Sequence, residues 1–310
     1  MNKKLLLRLT TLAIMLFGTV VLQSLGDRRD LHWPWYFLHQ VILGVVPMVW
    51  LILETMPRAS RQLRIGFITT SALFIGLSAV FELLAIQHRY WWFYTALDHL
   101  TGWKLGAIPI EEFMFYPLFL NLPILFYIWL DGVIPRDPKP SPTTPRMKLV
   151  LRVLGGLFLA AGAGLFWYAQ THPTPLLDLT ILPSPDPAGA LTYKAGPPGH
   201  GWTLVQTLAL SGICFLYANL RDRVDRRRLW FTAVIYFVFA FFVELMACGR
   251  GWWVWNHQQV LGLFTWILPI ESYGMYFTGA VLPIIALEGI LPMFAPGLKQ
   301  EPVPLAAPGG

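Results

Sequence analysis

The sequence predicts an all-α integral membrane protein with about eight transmembrane helices in two parallel four-helix repeats. Three observations predict it: the composition, the spacing of long apolar runs, and a string of residues that occurs twice. Of the 310 residues, 55% are hydrophobic and only 13% charged, against roughly 25% charged in an ordinary soluble domain. Mean hydropathy is +0.54. A soluble core has no use for this much apolar surface, whereas a bilayer does.

A helical crossing takes roughly 20 apolar residues. Runs that meet this length lie near residues 5–25, 36–56, 65–86, 106–130, 149–170, 202–220, 229–248 and 267–294. The first follows Lys3, Lys4 and Arg8, as a signal peptide would. Its apolar run is too long for that, and no A-x-A-like site follows, so it reads as a crossing. An even number of crossings puts both termini on one side. Segments on that side carry 17 of the 23 Lys and Arg residues. The other side holds Arg28, Arg29, Arg89, Lys104, Lys194 and Arg250. The asymmetry makes the first side, and both termini, cytoplasmic, with a bacterial inner membrane as the expected location.

The chain then divides into residues 1–147 and 148–310. The first part ends in a linker at 131–147 rich in Pro and charge. The second carries a long outer loop at 171–201 and a Pro/Ala/Gly-rich tail from Pro296. A pI near 9.4 raises nucleic acid as a partner. The basic residues fall in short runs between apolar stretches, the pattern of loops and not of a binding face, so that partner is excluded. Cys214 and Cys248 sit inside apolar runs and form no metal or redox motif.

The duplicated string carries the functional signal. Phe81–Phe113 reads FELLAIQHRYWWFYTALDHLTGWKLGAIPIEEF, and Val243–Tyr273 reads VELMACGRGWWVWNHQQVLGLFTWILPIESY. Glu82 matches Glu244. Trp91 and Trp92 match Trp252 and Trp253, and Gly102 matches Gly262. Pro109-Ile110-Glu111 matches Pro269-Ile270-Glu271. The copies are four crossings apart and therefore run the same way, as parallel repeats about an axis along the membrane normal. Each copy is a helix end, an aromatic outer loop and the next helix start. Glu82, Glu111, Glu244 and Glu271 then sit at similar depth and converge on one cavity between the repeats.

A carboxylate at a helix centre costs about 2.5–3.5 kcal/mol on insertion scales, and ionisable groups inside a membrane are functional by default. The plain alternatives are a favourable place at a helix N-terminus or simple hydration. Glu111 and Glu112 are adjacent and point about 100° apart on a helix. One then faces the cavity, and the other a loop or a neighbouring helix. A buried carboxyl group keeps its proton and can act as an acid, while an ionised one acts as a base. Around these acids lie Tyr90, Trp91, Trp92, Phe93, Tyr94 and Trp103 in one copy, and Trp252, Trp253, Trp255 and Trp266 in the other. Interfacial belts place Trp and Tyr at loop ends without chemistry. The functional reading is a π-lined pocket for a carbocation, with Trp91, Trp92, Phe93, Trp103, Trp252, Trp253 and Trp255 against the substrate.

Other motifs are weaker. Asn219, Asp222 and Asp225 resemble the Asp-rich magnesium sites of membrane prenyltransferases. Their spacing is too tight, and five arginines crowd them, so they read as a solvated loop. His88, His99 and His257 lie in outer loops without metal spacing. No glycine-rich dinucleotide fingerprint is present. No metal or cofactor is therefore expected.

The string W-W-F-x(7)-T-G-x(6)-P-I-E-E-F-x-F at Trp91–Phe115 resembles the signature of the membrane-embedded lycopene cyclase family. That family comprises the heterodimeric bacterial and the archaeal type and the cyclase half of the fungal bifunctional enzyme. Its members carry two related half-domains with a P-x-E-type motif after a Trp-rich loop. Pro109-Ile110-Glu111-Glu112 matches the first motif and Pro269-Ile270-Glu271 the second, with Ser272 where an acid often follows. The resemblance implies a redox-neutral isomerisation. An acid protonates the terminal double bond of a polyene end, an internal alkene closes a six-membered ring, and a base removes a proton. It implies Glu111 first among the catalytic residues, then Glu112 and Glu271, then Glu82 and Glu244. It also implies a lipophilic carotenoid entering from the bilayer lipid and carotenoid-pathway enzymes as partners. Two other readings use the same residues: another isoprenoid reaction, such as hydration or prenyl transfer, and a proton-coupled transporter.

Overall fold

The computed structural model describes residues 3–25, 33–87, 91–93, 100–105, 108–135, 143–171, 201–250, 252–255, 259–261 and 263–294. The outer loop, save its two end residues, lies outside them. So do the tail from Pro296 and Tyr90, Tyr94, His88, His99 and His257. The first crossing is α1 (Lys3–Leu25). The second is composite: α2 (Trp35–Gln40), a π turn (Val41–Val45), α3 (Val46–Thr55) and a 3-10 turn. Pro47 explains the break, because its ring clashes with the carbonyl four residues back, and a wider turn moves that carbonyl away.

After α4 (Arg61–Gln87) come three short strands, β1 (Trp91–Phe93), β2 (Lys104–Leu105) and β3 (Ile108–Pro109). The chain continues through α5 (Ile110–Leu130), α6 (Pro145–Thr171), α7 (Gly201–Leu220) and α8 (Arg226–Gly249). Strands β4 (Trp253–Trp255), β5 (Phe264–Thr265) and β6 (Leu268–Pro269) then lead into α9 (Ile270–Ile290). Among the described residues, eight helical stretches are long and apolar enough to span a membrane. Several boundaries differ from the sequence expectation: the third crossing begins at Arg61 rather than 65 and the fifth at Pro145 rather than 149. The fourth crossing begins at Ile110 rather than 106 and the eighth at Ile270 rather than 267, because the preceding residues are drawn into strands.

Helices α5 and α9 occupy the middle. They pack on each other, and both touch α4 and α8. Helices α1 and α6 are the least buried crossings; α6 lies along α7, and α1 along α3. Where α5 meets α9, the Phe119 ring lies so close to Gly279 that there is no room for a Cβ. Pro123 sits inside α5 and deprives the Phe119 carbonyl of its helical N–H partner. The Tyr236 hydroxyl of α8 donates to that carbonyl at 2.6 Å. The kink thus becomes an inter-helix tie.

Away from the strands, the opposite end of the bundle is fastened by ion pairs. Glu54 accepts from Arg8 Nε and Nη2 at 2.7 Å each, and from Trp50 at 2.8 Å and Trp129 at 2.9 Å. Arg228 pairs with Asp131 at 2.7 Å and Asp225 at 3.0 Å, and its guanidinium lies over the Tyr127 ring. The Tyr127 hydroxyl donates to Glu288 at 2.8 Å. Of Asn219, Asp222 and Asp225, Asn219 and Asp222 are exposed as a solvated segment would be, and only Asp225 departs from that reading. Asp225 caps α8 by accepting from the Arg228 backbone N–H at 3.1 Å, and a buried guanidinium requires such carboxylates. Asp222 accepts from the Thr143 hydroxyl and amide at 2.5 and 2.7 Å, and the hydroxyl is the main cause of its carboxyl lying below the usual range. Asn219 accepts from Arg152 at 3.3 Å. Cys248 is buried, Cys214 only partly so, and both are free thiols.

Two stability outcomes follow from these ties. Tyr236→Phe leaves the Phe119 carbonyl unsatisfied and lowers stability by about 1–3 kcal/mol, read as an earlier thermal unfolding transition in detergent. Arg228→Ala strands two carboxylates and costs about 3–5 kcal/mol in the same measurement.

Candidate functional site

Each copy of the duplicated string folds in the same way. Strands β2 and β3 pair as a hairpin with Lys104 opposite Pro109 and Leu105 opposite Ile108. Strands β5 and β6 pair with Phe264 opposite Pro269 and Thr265 opposite Leu268. In the first copy the Ile110 amide donates to the Trp103 carbonyl, and in the second the Ile270 amide donates to the Leu263 carbonyl, both at 2.9 Å. Gly102 enters the first hairpin with φ of 80°, a conformation that favours glycine. Strands β1 and β4 join the copies: Trp91 faces Trp255, Trp92 faces Val254 and Phe93 faces Trp253, antiparallel.

The hairpins deliver glutamates to the helix starts, where the dipole favours negative charge. Glu82, Glu111, Glu112, Glu244 and Glu271 are all buried, none more than 5% exposed. Among the described residues none of the five forms an ion pair. Their donors are neutral.

Glu111 and Glu271 do the same work. Glu111 Oε1 accepts from the Thr101 amide at 2.5 Å. Glu271 Oε1 accepts from the Leu261 amide at 2.7 Å and from the Thr203 hydroxyl at 2.6 Å. Each pins the loop before its own hairpin and leaves its Oε2 buried without a protein partner among the described residues. Glu112, one step round α5, accepts from the Tyr36 hydroxyl at 2.9 Å. The adjacent pair does divide its attention, Glu111 to the loop and Glu112 to the neighbouring α2. Glu82 accepts from Tyr116 at 2.7 Å, and Tyr116 lies four residues after Glu112 on the same face of α5. Glu244 accepts from Trp255 Nε1 at 2.7 Å, Ser272 Oγ at 2.9 Å and Tyr276. Hydrogen bonds to charged groups contribute about 1.5–3 kcal/mol each, so three of them hold Glu244 firmly.

Aromatic rings link the two acid clusters. Tyr116 meets Phe81 edge-on at 6.2 Å between centroids, Phe81 meets Trp202 at 5.5 Å, and Trp202 meets Trp255 at 5.2 Å. The series starts at the donor to Glu82 and ends at a donor to Glu244. Trp252 is fully buried and packs edge-on against His39 at 5.2 Å and tilted against Tyr36 at 6.5 Å. Trp91, Trp92, Phe93 and Trp253 enter as paired strand positions. Trp103 departs from the expected wall: it is 75% exposed, because its carbonyl closes the hairpin while its ring is left outside. Trp266 is exposed as well, in the turn between β5 and β6.

Several site residues escaped the sequence reading, namely Tyr36, Tyr116, Tyr276, Thr203, Phe81 and Trp202. For the tyrosines a signal existed. Tyr116 lies five residues after Glu111, as Tyr276 lies five after Glu271, so the repeat extends beyond the quoted string. Tyr116 is also four residues after Glu112, and Tyr276 four after Ser272, which puts each pair on one helix face.

Comparison with known families agrees with this geometry. The lycopene cyclase family model matches residues 32–130 and 200–289, together more than half of the chain. The matched stretches hold α2 to α5 and α7 to α9; α1 and α6 fall outside them. Both copies of the hairpin and all five glutamates lie within. Membrane-span-capable helices and the matched stretches together define a multi-pass membrane protein of the lycopene cyclase class. The chain belongs to the lycopene cyclase family. No curated protein and no solved structure matches it.

The clamp role of the first glutamate in each motif is directly measurable. Glu111→Ala should speed amide exchange at Thr101, and Glu271→Ala at Leu261, by about tenfold to a hundredfold, followed by hydrogen–deuterium exchange in detergent.

Proposed function

We propose that the protein closes rings at the ends of a lycopene-like carotenoid by redox-neutral acid–base isomerisation. The observation that carries this reading is the set of buried glutamates whose described partners are neutral donors, set against a continuous series of aromatic rings. A carboxylic acid gives a proton to the terminal double bond of the polyene. The resulting tertiary cation lies among π faces, each worth about 0.5–2 kcal/mol to a nearby cation. The electron pair of an internal double bond forms the new carbon–carbon bond, and a carboxylate removes a proton to restore an alkene. No atom is gained or lost, and only proton donors and acceptors are required.

Glu111, Glu112, Glu271, Glu82 and Glu244 are the buried acids among which the proton donor and acceptor are sought, with Trp252 and Trp255 as the buried tryptophans of the wall. Glu111 and Glu271 each pin a hairpin with one oxygen. That favours Glu112 and Glu82 for the proton steps. The two copies are proposed as parallel repeats, residues 1–147 and 148–310, with the hairpin end on the outer face, as the basic-residue asymmetry indicates.

The test is pigment analysis in a bacterium that accumulates lycopene. Wild-type protein should convert lycopene to mono- or bicyclic carotene, and Glu112→Gln should lower conversion by about a hundredfold or more at equal membrane content. Lycopene left untouched by well-inserted wild-type protein would exclude cyclisation of this substrate.

A further inference from the structure

The two copies of the site share their backbone but not their chemistry. At the position where the first copy has Glu112, the second has Ser272. In the first copy that puts a second acid beside Glu82. In the second it puts a hydroxyl donor on Glu244 at 2.9 Å. The donor sets differ accordingly. Glu82 holds one phenol, Tyr116, and its Oε1 is buried without a protein partner among the described residues. Glu112 holds one phenol, Tyr36. Glu244 is engaged through both oxygens: Trp255 and Ser272 donate to Oε1, and Tyr276 to Oε2. Glu111 and Glu271 pin their hairpins alike, so they do not distinguish the copies.

An acid that must give or take a proton at carbon needs an oxygen it can turn to the substrate. Glu82 and Glu112 have that freedom. Glu111 and Glu271 also keep an Oε2 free among the described residues but are tied through Oε1 to a backbone amide before their hairpins. Glu244 has no free oxygen unless a bond to its own shell breaks. We infer that proton transfer to and from the polyene runs through Glu82 and Glu112 of the first copy, while Glu244, fixed by Ser272, Tyr276 and Trp255, is a positioning residue that holds the opposite wall. This assignment rests on the cyclase reading above. The balance is simple. One member gives a proton to the terminal alkene, and the other takes one from the ring cation. The pair resets when that proton returns from the second acid to the first. Tyr36 donates to Glu112 and Tyr116 to Glu82, and these two phenols are the groups through which the return passes.

The experiment compares variants in membrane vesicles supplied with an acyclic carotene, with inserted protein quantified and its thermal unfolding recorded. Glu112→Ser gives the first copy the second copy's residue, a serine beside Glu82, and should insert normally yet lose about a hundredfold or more of its turnover. Glu82→Gln should do the same. The residual product of either variant should show a shifted ring double bond, because a displaced base removes a different proton; a purely structural lesion leaves the product unchanged. Glu244→Gln keeps an acceptor for Trp255 and should retain at least about a tenth of the turnover, with wild-type product. If Glu244→Gln disturbs insertion, Ser272→Ala removes one donor and should stay within about tenfold of wild type. A hundredfold loss in inserted Glu244→Gln or Ser272→Ala, or an active Glu112→Ser, overturns the assignment while the cyclase reading stands. An inert wild type overturns both.

Discussion

A carboxyl group taken out of water without a cation must be met by hydrogen-bond donors, and the hairpin end of this bundle is organised around that requirement. Five buried glutamates cluster where two-residue strands hand the chain to α5 and α9. The donors arrive from every element at that end: a backbone amide before each hairpin, Tyr36 from α2, Thr203 from α7, Tyr116 and Tyr276 from the helices themselves, and Trp255 from β4. The bilayer end is thus held by polar contacts, while apolar packing fills the space between them. An unpaired buried polar group costs far more than a satisfied one contributes.

The opposite end meets the same requirement with the opposite device. There the carboxylates Glu54, Asp131 and Asp225 are matched by Arg8 and Arg228. An ion pair fixes charge and leaves no room for a proton to move, so this end fastens helices and does little else. Neutral donors at the hairpin end leave protonation open. Among the described residues the chain thus holds two kinds of buried acid, one cation-paired and one not, and the proposed reaction draws only on the second.

The crossings were legible because a bilayer demands long apolar runs, and those runs are visible residue by residue. The repeat was legible because Pro-Ile-Glu recurs at one spacing from a glycine. The hairpins were not, since a two-residue strand has no alternation to detect, and so the fourth and eighth crossings opened a few residues late. Tyr36 and Thr203 were hidden for another reason. They sit far upstream in sequence, and only packing shows that Trp35-Tyr36 and Trp202-Thr203 reach the two motifs. Trp103 misled because abundance of tryptophan near an acid does not say which way a ring turns. The hairpin needs that residue's carbonyl, and the side chain went outward.

Duplication explains why the halves look alike, and the reaction explains why they need not stay alike. A protonation followed by a deprotonation requires two acids within reach of one cation, not two copies of one acid on opposite walls. Glu112 next to Glu82 meets that need on one side. On the other, a second acid beside Glu244 would bring like charges together in an apolar setting; Ser272 turns the repulsion into a hydrogen bond. On the proposed reaction, the wall facing the cation is then rigid and the side with Glu82 and Glu112 adjustable. Holding a reactive cation in one shape while protons move on only one face of it favours such a division.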